Sequence, residues 1–191
     1  MNVDLSTYKK GSYRTGKNIV IQTIWYIVNF IVFDSKCLPI SSVKIALLKL
    51  FGARIGKNVV IKPSVNIKFP WRLTVGNNSW IGEGVWIDNI ANVKIGKNCC
   101  ISQGALLLCG NHDYKKETFD LITGEIRIED GAWIGAKSVV CPNVVAHENS
   151  VLCVGSIATH NLDKNTVYRG VPACAIRKRT DDTPAAVNKY N

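Results

Sequence analysis

Between residues 55 and 162 an apolar, mostly branched residue returns every sixth position. Taken as position i, the register runs Ile55, Ile61, Ile67; Val75, Ile81, Ile87; Ile95, Ile101, Leu107; Ile128, Ile134, Val140; and Ala146, Leu152, Ala158. Thirteen of these fifteen are Ile, Leu or Val, which makes the repeat a strong signal rather than a chance match. Position i+4 is small or β-branched nearly throughout, with misfits at Trp71, Asn111 and Leu162. Position i+3 is Gly or Asn at eleven places, and both types tolerate positive φ. A helix needs a period of 3.6 and a meandering sheet needs hairpin turns, so neither fits. The pattern predicts short strands joined by tight bends, wound into a solenoid whose rungs stack their i residues.

The flanks read differently. In residues 1–54 the run "IVIQTIWYIVNFIVF" (19–33) carries Gln22, Tyr26 and Asn29 at helical spacing, which predicts a helix with a narrow polar stripe. It is short for a membrane span, which takes roughly 17–25 residues. Packing on the main domain, across a subunit interface, is favoured over lying on a membrane surface, although peripheral contact through 19–33 stays open. A second helix is expected at "SSVKIALLKLFG", capped by Ser41 or Ser42, with Val43, Ala46, Leu47 and Leu50 on one face and Gly52 at its end. Residues 163–191 make a closing segment, and "TDDTPAAVNKYN" reads as a frayed tail.

The stretches "IGKNVVI", "VGNNSWIGEGVWI", "IGKNCCIS" and "WIGAKSVV" resemble the hexapeptide-repeat acyltransferases. The resemblance implies a mostly β fold: a left-handed parallel β-helix of about five coils, three hexads to a coil. N-terminal helices over 1–54 precede it. Its handedness comes with the resemblance, since it departs from the usual right-handed crossover. "VYRGVPACAIRKR" resembles the closing element of that family, a strand followed by a short helix.

The register also breaks in an ordered way. Eight residues separate Ile67 from Val75 and Ile87 from Ile95, and twenty-one separate Leu107 from Ile128. All the surplus enters at one corner, and in the third coil it forms a loop at about 110–125. A disturbance repeated at one place in a regular solenoid points to function. His112 stands at the mouth of that loop, with Asp88, Asn89 and Asn92 about one rung below. A neutral imidazole is a suitable base near pH 7. A structural histidine that only satisfies a loop carbonyl is the alternative, but it leaves the coincidence with the widened corner unexplained.

"GEGVWIDN", "CISQGALL", "GNHDYKKETFDLI" and "EDGAWIGAKSVVCP" are similar to the colanic acid, maltose and galactoside acetyltransferase group. By that resemblance His112 removes the proton from an acceptor hydroxyl, in O-acetylation of a sugar for surface polysaccharide assembly. Acetyl-CoA is then the co-substrate, and no metal is expected. Asp88, Asn89 and Asn111 are candidates to orient the acceptor or the imidazole. Trp133, Ala136, Val154 and Thr159 match positions that touch the pantetheine arm, and Arg177 and Lys178 match the basic tail that meets nucleotide phosphates. That groove needs two chains, so a homotrimer is implied.

Composition adds limits. The 191 residues are 47% hydrophobic and carry a formal net charge of +10, which favours anionic partners such as a phosphorylated co-substrate. No basic–aromatic stripe, helix-turn-helix or zinc-finger spacing points to nucleic acid. Seven cysteines without a C-x-x-C pair, behind a polar start, read as cytoplasmic thiols used for packing. Cys109 beside His112 is read as a bystander, and neither His147 nor His160 receives a catalytic role. Two rivals remain: a γ-type carbonic anhydrase on the same fold, for which the three histidines are too scattered, and a non-catalytic scaffold. N-acetylation of an amino sugar is a close variant.

Overall fold

The computed structural model describes residues 2–36 and 38–180. All fifteen i residues are buried, none more than 8% exposed. They stack in three columns: Ile55, Val75, Ile95, Ile128 and Ala146; Ile61, Ile81, Ile101, Ile134 and Leu152; Ile67, Ile87, Leu107, Val140 and Ala158. Each column belongs to one parallel sheet, so the solenoid has three faces. Five coils are complete, and the strand Thr166–Gly170 begins a sixth. In-register parallel stacking satisfies every rung's backbone through its neighbours while burying the branched side chains one above another.

Tight bends turn the chain between faces. Nine of the eleven Gly and Asn residues at i+3 have positive φ, from Asn98 at 55° to Gly131 at 72°. Ser64 and Lys137 occupy equivalent positions at 56° and 58°, so the stacked geometry imposes the left-handed bend on residues that do not favour it. Gly110 and Asn161, the remaining two, lie at the corner between the third and first faces. There the surplus residues enter, and the bend has a different form.

The N-terminal helices meet the solenoid with mixed faces, and on the second the inward face differs from the one its pattern predicts. Helix α1 (Ile19–Val28) continues into a π-helical turn, Asn29–Asp34. Trp25, Asn29 and Phe33 point inward, while Ile19, Val20, Ile24, Tyr26, Ile27, Phe30 and Ile31 are exposed. The reason is the open edge of the first coil. Trp25 Nε1 donates to the Ile67 carbonyl at 2.8 Å, and Asn29 Oδ1 accepts from the Ile67 amide at 3.2 Å. Helix α2 (Ser41–Leu50) does the same on the next face. Ser41 Oγ bonds both the amide and the carbonyl of Ile61, and Lys44 Nζ donates to the Lys62 carbonyl at 2.9 Å. Ser41 therefore caps a strand edge, not the helix, and Lys44 and Leu48, rather than Val43 and Leu50, are buried. A solenoid end presents unpaired backbone, so the polar residues turn inward to meet it.

The far end is closed by a β-hairpin. Thr166–Gly170 pairs antiparallel with Ala173–Lys178. The short C-terminal helix implied by resemblance is thus a strand. Its extended course keeps backbone pairing on the last open edge, which a helix would leave bare. Of the expected frayed tail, residues 181–191 lie outside the described residues. The loop expected at 110–125 is itself a hairpin, in which Gly110–His112 pairs with Leu121–Thr123. Among the described residues no helix is long and apolar enough to cross a membrane.

Ile81→Asp or Ile101→Asp should prevent folding, because an unpaired carboxylate would enter a fully buried column. A soluble variant with native melting, followed by circular dichroism, would show that the columns are not the core.

Candidate active site

The third corner is built upward from three widened turns. Lys68 and Phe69 leave the first coil there, Asp88 and Asn89 the second, and Leu108 to Gly110 the third. Asn89 is fully buried, and both ends of its amide are engaged. Its Oδ1 accepts from the Phe69 amide at 2.9 Å and its Nδ2 donates to the Phe69 carbonyl at 2.6 Å. Asn89 therefore fixes the floor and offers nothing to an acceptor. Asp88, one rung below Leu108, accepts from Lys68 Nζ at 2.9 Å on Oδ1. Gly110 crosses closely above Ile90; a Cβ there would lie 2.7 Å from Ile90 Cδ1, so a larger residue would have to push that side-chain tip aside.

The hairpin holds His112 firmly. Phe119 adopts a φ of 46°, unusual for a bulky side chain. Its ring stacks on the imidazole at 4.4 Å and 7°, and its carbonyl lies 3.1 Å from His112 Nδ1. A carbonyl only accepts, so in the neutral imidazole Nδ1 carries the proton and Nε2 keeps the lone pair. The Tyr8 ring, from the N-terminal arm, lies on the same imidazole at 5.8 Å. Asn111 is exposed and its Oδ1 accepts from the His112 amide, a local contact that shapes the strand.

A cavity of about 540 Å³ opens at this place, lined by His112, Asn111, Asp88, Lys68, Phe69 and Leu108 and by Tyr8, Tyr13 and Thr15 of the arm. It combines a base, an ion pair and aromatic walls. Another cavity, about 460 Å³ between α1 and Trp86, is lined by no histidine, carboxylate or thiol. Lys68, Phe69, Tyr8 and Tyr13 were not singled out from the sequence. The first two sit twenty residues before Asp88 and Asn89 in the same column, so the argument that finds those two finds Lys68 and Phe69 as well.

Cys109 is fully buried, and that burial pushes its thiol up to about 12. It stays protonated at neutral pH, which does not suit a nucleophile. His147 pairs with Glu129 at 3.1 Å and His160 Nδ1 lies 2.9 Å from the hydroxyl of its neighbour Thr159, so the three histidines stand apart. Among the described residues no group of three His, Cys, Asp or Glu is placed to hold a metal ion, the arrangement a carbonic anhydrase needs.

The structure does not bring the expected co-substrate residues to His112. Ala136 and Val154 share the second corner, where the Gly155 amide bonds the Ala136 carbonyl. Trp133 lies on the second face, half exposed, with its indole N–H on Ser102 Oγ at 2.8 Å. Arg177 and Lys178 are on the closing hairpin. Thr159 alone follows the third face, two coils beyond His112. Within one chain these positions are spread over two corners and the hairpin.

No protein-family model matches the chain. The solved structure of the hexapeptide-repeat-containing acetyltransferase VCA0836 of Vibrio cholerae, complexed with acetyl-CoA, superposes with a TM-score of 0.78. The match covers 92% of this chain and 97% of that one at 19% identity, so it speaks to the fold. The putative colanic acid biosynthesis acetyltransferase WcaF of Escherichia coli is 34% identical over 178 residues, 93% of this chain and 98% of that protein. The chain belongs to the hexapeptide-repeat acetyltransferases. This acetyltransferase is also 30% identical over 139 residues to the galactoside O-acetyltransferase of E. coli, covering 71% of this chain and 68% of that one.

If the thiol of Cys109 is inert, Cys109→Ala leaves acetyl transfer within about twofold of normal. Alkylation of the native acetyltransferase at pH 8 then labels the exposed Cys174 well before Cys109. Mass spectrometry of the labelled peptides reads the order, and rapid labelling of Cys109 with loss of turnover would make Cys109 a nucleophile that carries the acetyl group.

Proposed function

We propose that this acetyltransferase moves the acetyl group of acetyl-CoA to a hydroxyl of a sugar used in surface polysaccharide assembly, with His112 as general base. The observation that carries the reading is the contact between His112 Nδ1 and the Phe119 carbonyl, which leaves the Nε2 lone pair free on a residue that lines a cavity of sugar-compatible size. The names of the relatives support it: one is assigned to colanic acid biosynthesis, another acts on galactosides. Nε2 takes the hydroxyl proton, the sugar oxygen attacks the acetyl carbonyl carbon, and the carbon–sulfur bond breaks. The departing thiolate then takes the proton back from the imidazole. Backbone N–H groups near the third corner stabilise the charge on the carbonyl oxygen.

The working unit is a homotrimer. Apart from Thr159, the co-substrate positions lie away from the corner that carries the base, so a second chain brings Trp133, Ala136, Val154, Arg177 and Lys178 toward His112 and Thr159. The same assembly gives the outward apolar face of α1 a partner, the alternative being peripheral contact with a membrane. Cytoplasmic acetyl-CoA places the enzyme in the cytoplasm.

His112→Ala should fold and bind acetyl-CoA but lose about 10²–10⁴ of turnover, the usual worth of a positioned base. The residual rate should rise with pH as the acceptor hydroxyl ionises unaided. Thiol release from acetyl-CoA with a sugar panel measures it, with His147→Ala as the control. Near-normal turnover, or joint loss of cofactor binding and stability, would make His112 structural.

The shared groove predicts a sedimenting species near three times the chain mass of 21.1 kDa. In it, Arg177→Ala combined with Lys178→Ala should raise the KM for acetyl-CoA about tenfold and leave that for the sugar alone. A fully active monomer would contradict the groove.

A further inference from the structure

We propose that the N-terminal arm, residues 3–17, is a working part of the acceptor site, and that the Tyr13 hydroxyl reads a second hydroxyl of the sugar beside the one that is acetylated. This rests on the sugar acetylation reading above. The arm is fastened at both ends of the cavity. The Asp4 amide donates to the Glu117 carbonyl at 3.0 Å and the Leu121 amide to the Lys9 carbonyl at 3.1 Å, which ties the arm to the His112 hairpin. At the other end Trp71 Nε1 donates to the Thr15 carbonyl at 2.7 Å, and the Arg72 guanidinium donates to the Arg14 carbonyl. Between these ties the arm crosses the third corner, with Tyr8 against His112 and Tyr13 lining the cavity.

The Tyr13 hydroxyl is buried and, among the described residues, makes no hydrogen bond of ordinary geometry. Such a group destabilises the fold, and buried polar atoms are otherwise almost always paired. Desolvation pushes its pKa up, partly offset by the Arg72 guanidinium, which acts through its charge and as a distant donor to the phenol oxygen, so the phenol stays protonated and its O–H is left to donate. It shares its cavity with Asp88, which is 8% exposed and held by Lys68, and with the apolar ring of Phe69. A carboxylate, an unpaired phenol and aromatic faces around one base form a set suited to a polyhydroxylated ring: edges take hydrogen bonds and the C–H face packs on the rings. An O–H whose proton gains an acceptor only from substrate is a specificity device, because a ligand lacking the matching hydroxyl leaves it unpaired.

The test is Tyr13→Phe, which keeps the ring and removes only the oxygen. Wild type and variant are assayed by thiol release from acetyl-CoA with methyl glucoside, galactoside, mannoside and fucoside, and with the monodeoxy forms of whichever is turned over. The expected variant has a melting temperature equal to or above wild type, an unchanged KM for acetyl-CoA and a KM for the sugar raised at least tenfold. One monodeoxy sugar should be discriminated against by wild type and not by Tyr13→Phe. If the variant is more stable with every KM and the deoxy preference unchanged, the hydroxyl is a mere packing defect and the inference fails while sugar acetylation stands. If wild type turns over none of these sugars, the acetylation reading fails and takes the inference with it.

Discussion

Every coil of this acetyltransferase is hydrogen-bonded, in register, to the coil below, and the branched residues at position i are stacked by the same register. That double constraint leaves little freedom along a face. A residue added within a strand would shift the next column to the outside, since adjacent strand residues face opposite sides. Surplus chain is therefore expelled at a corner. Because three successive coils expel it at the same corner, their emergent side chains collect in one place. The active-site cavity follows from the stacking rather than standing apart from it.

The same constraint creates the need for caps. A stack of open coils ends in unpaired backbone, and both ends of this one are covered. Trp25, Asn29, Ser41 and Lys44 give side-chain hydrogen bonds to the first coil, and the terminal strand pairs at the last. Capping has a functional side effect. The arm that leads into α1 passes the third corner on its way to the first coil's edge, which sets Tyr8 against His112 and Tyr13 in the wall of the same cavity. Covering the apolar outer face of α1 falls to whatever the enzyme assembles with.

The columns were legible in the sequence because burial from both neighbouring coils demands an apolar residue at each i, and the tight bends were legible where Gly or Asn marks them. Ser64 and Lys137 were missed, since the stack imposes their conformation and their residue type does not announce it. The candidate base was legible from its place at the interrupted register. Its surroundings were only partly so. The contacts of Tyr8 and Phe119 with His112 depend on a hairpin and an arm that no local pattern describes. Helix periodicity separated a polar from an apolar stripe on α1, but could not tell which faced the protein. The usual rule failed because the partner surface is open backbone. The strand at 173–178 was expected as a helix on resemblance alone.

Proton removal from the acceptor depends on the protonation geometry of one ring. Nitrogen-15 NMR of the acetyltransferase labelled at histidine, recorded at a pH where the His112 imidazole is neutral and assigned with His112→Ala, reads its tautomer directly. The Phe119 carbonyl predicts a protonated Nδ1 and a bare Nε2. A resonance pattern with the proton on Nε2 would contradict it, because the atom facing the acceptor would then have no lone pair with which to take its proton.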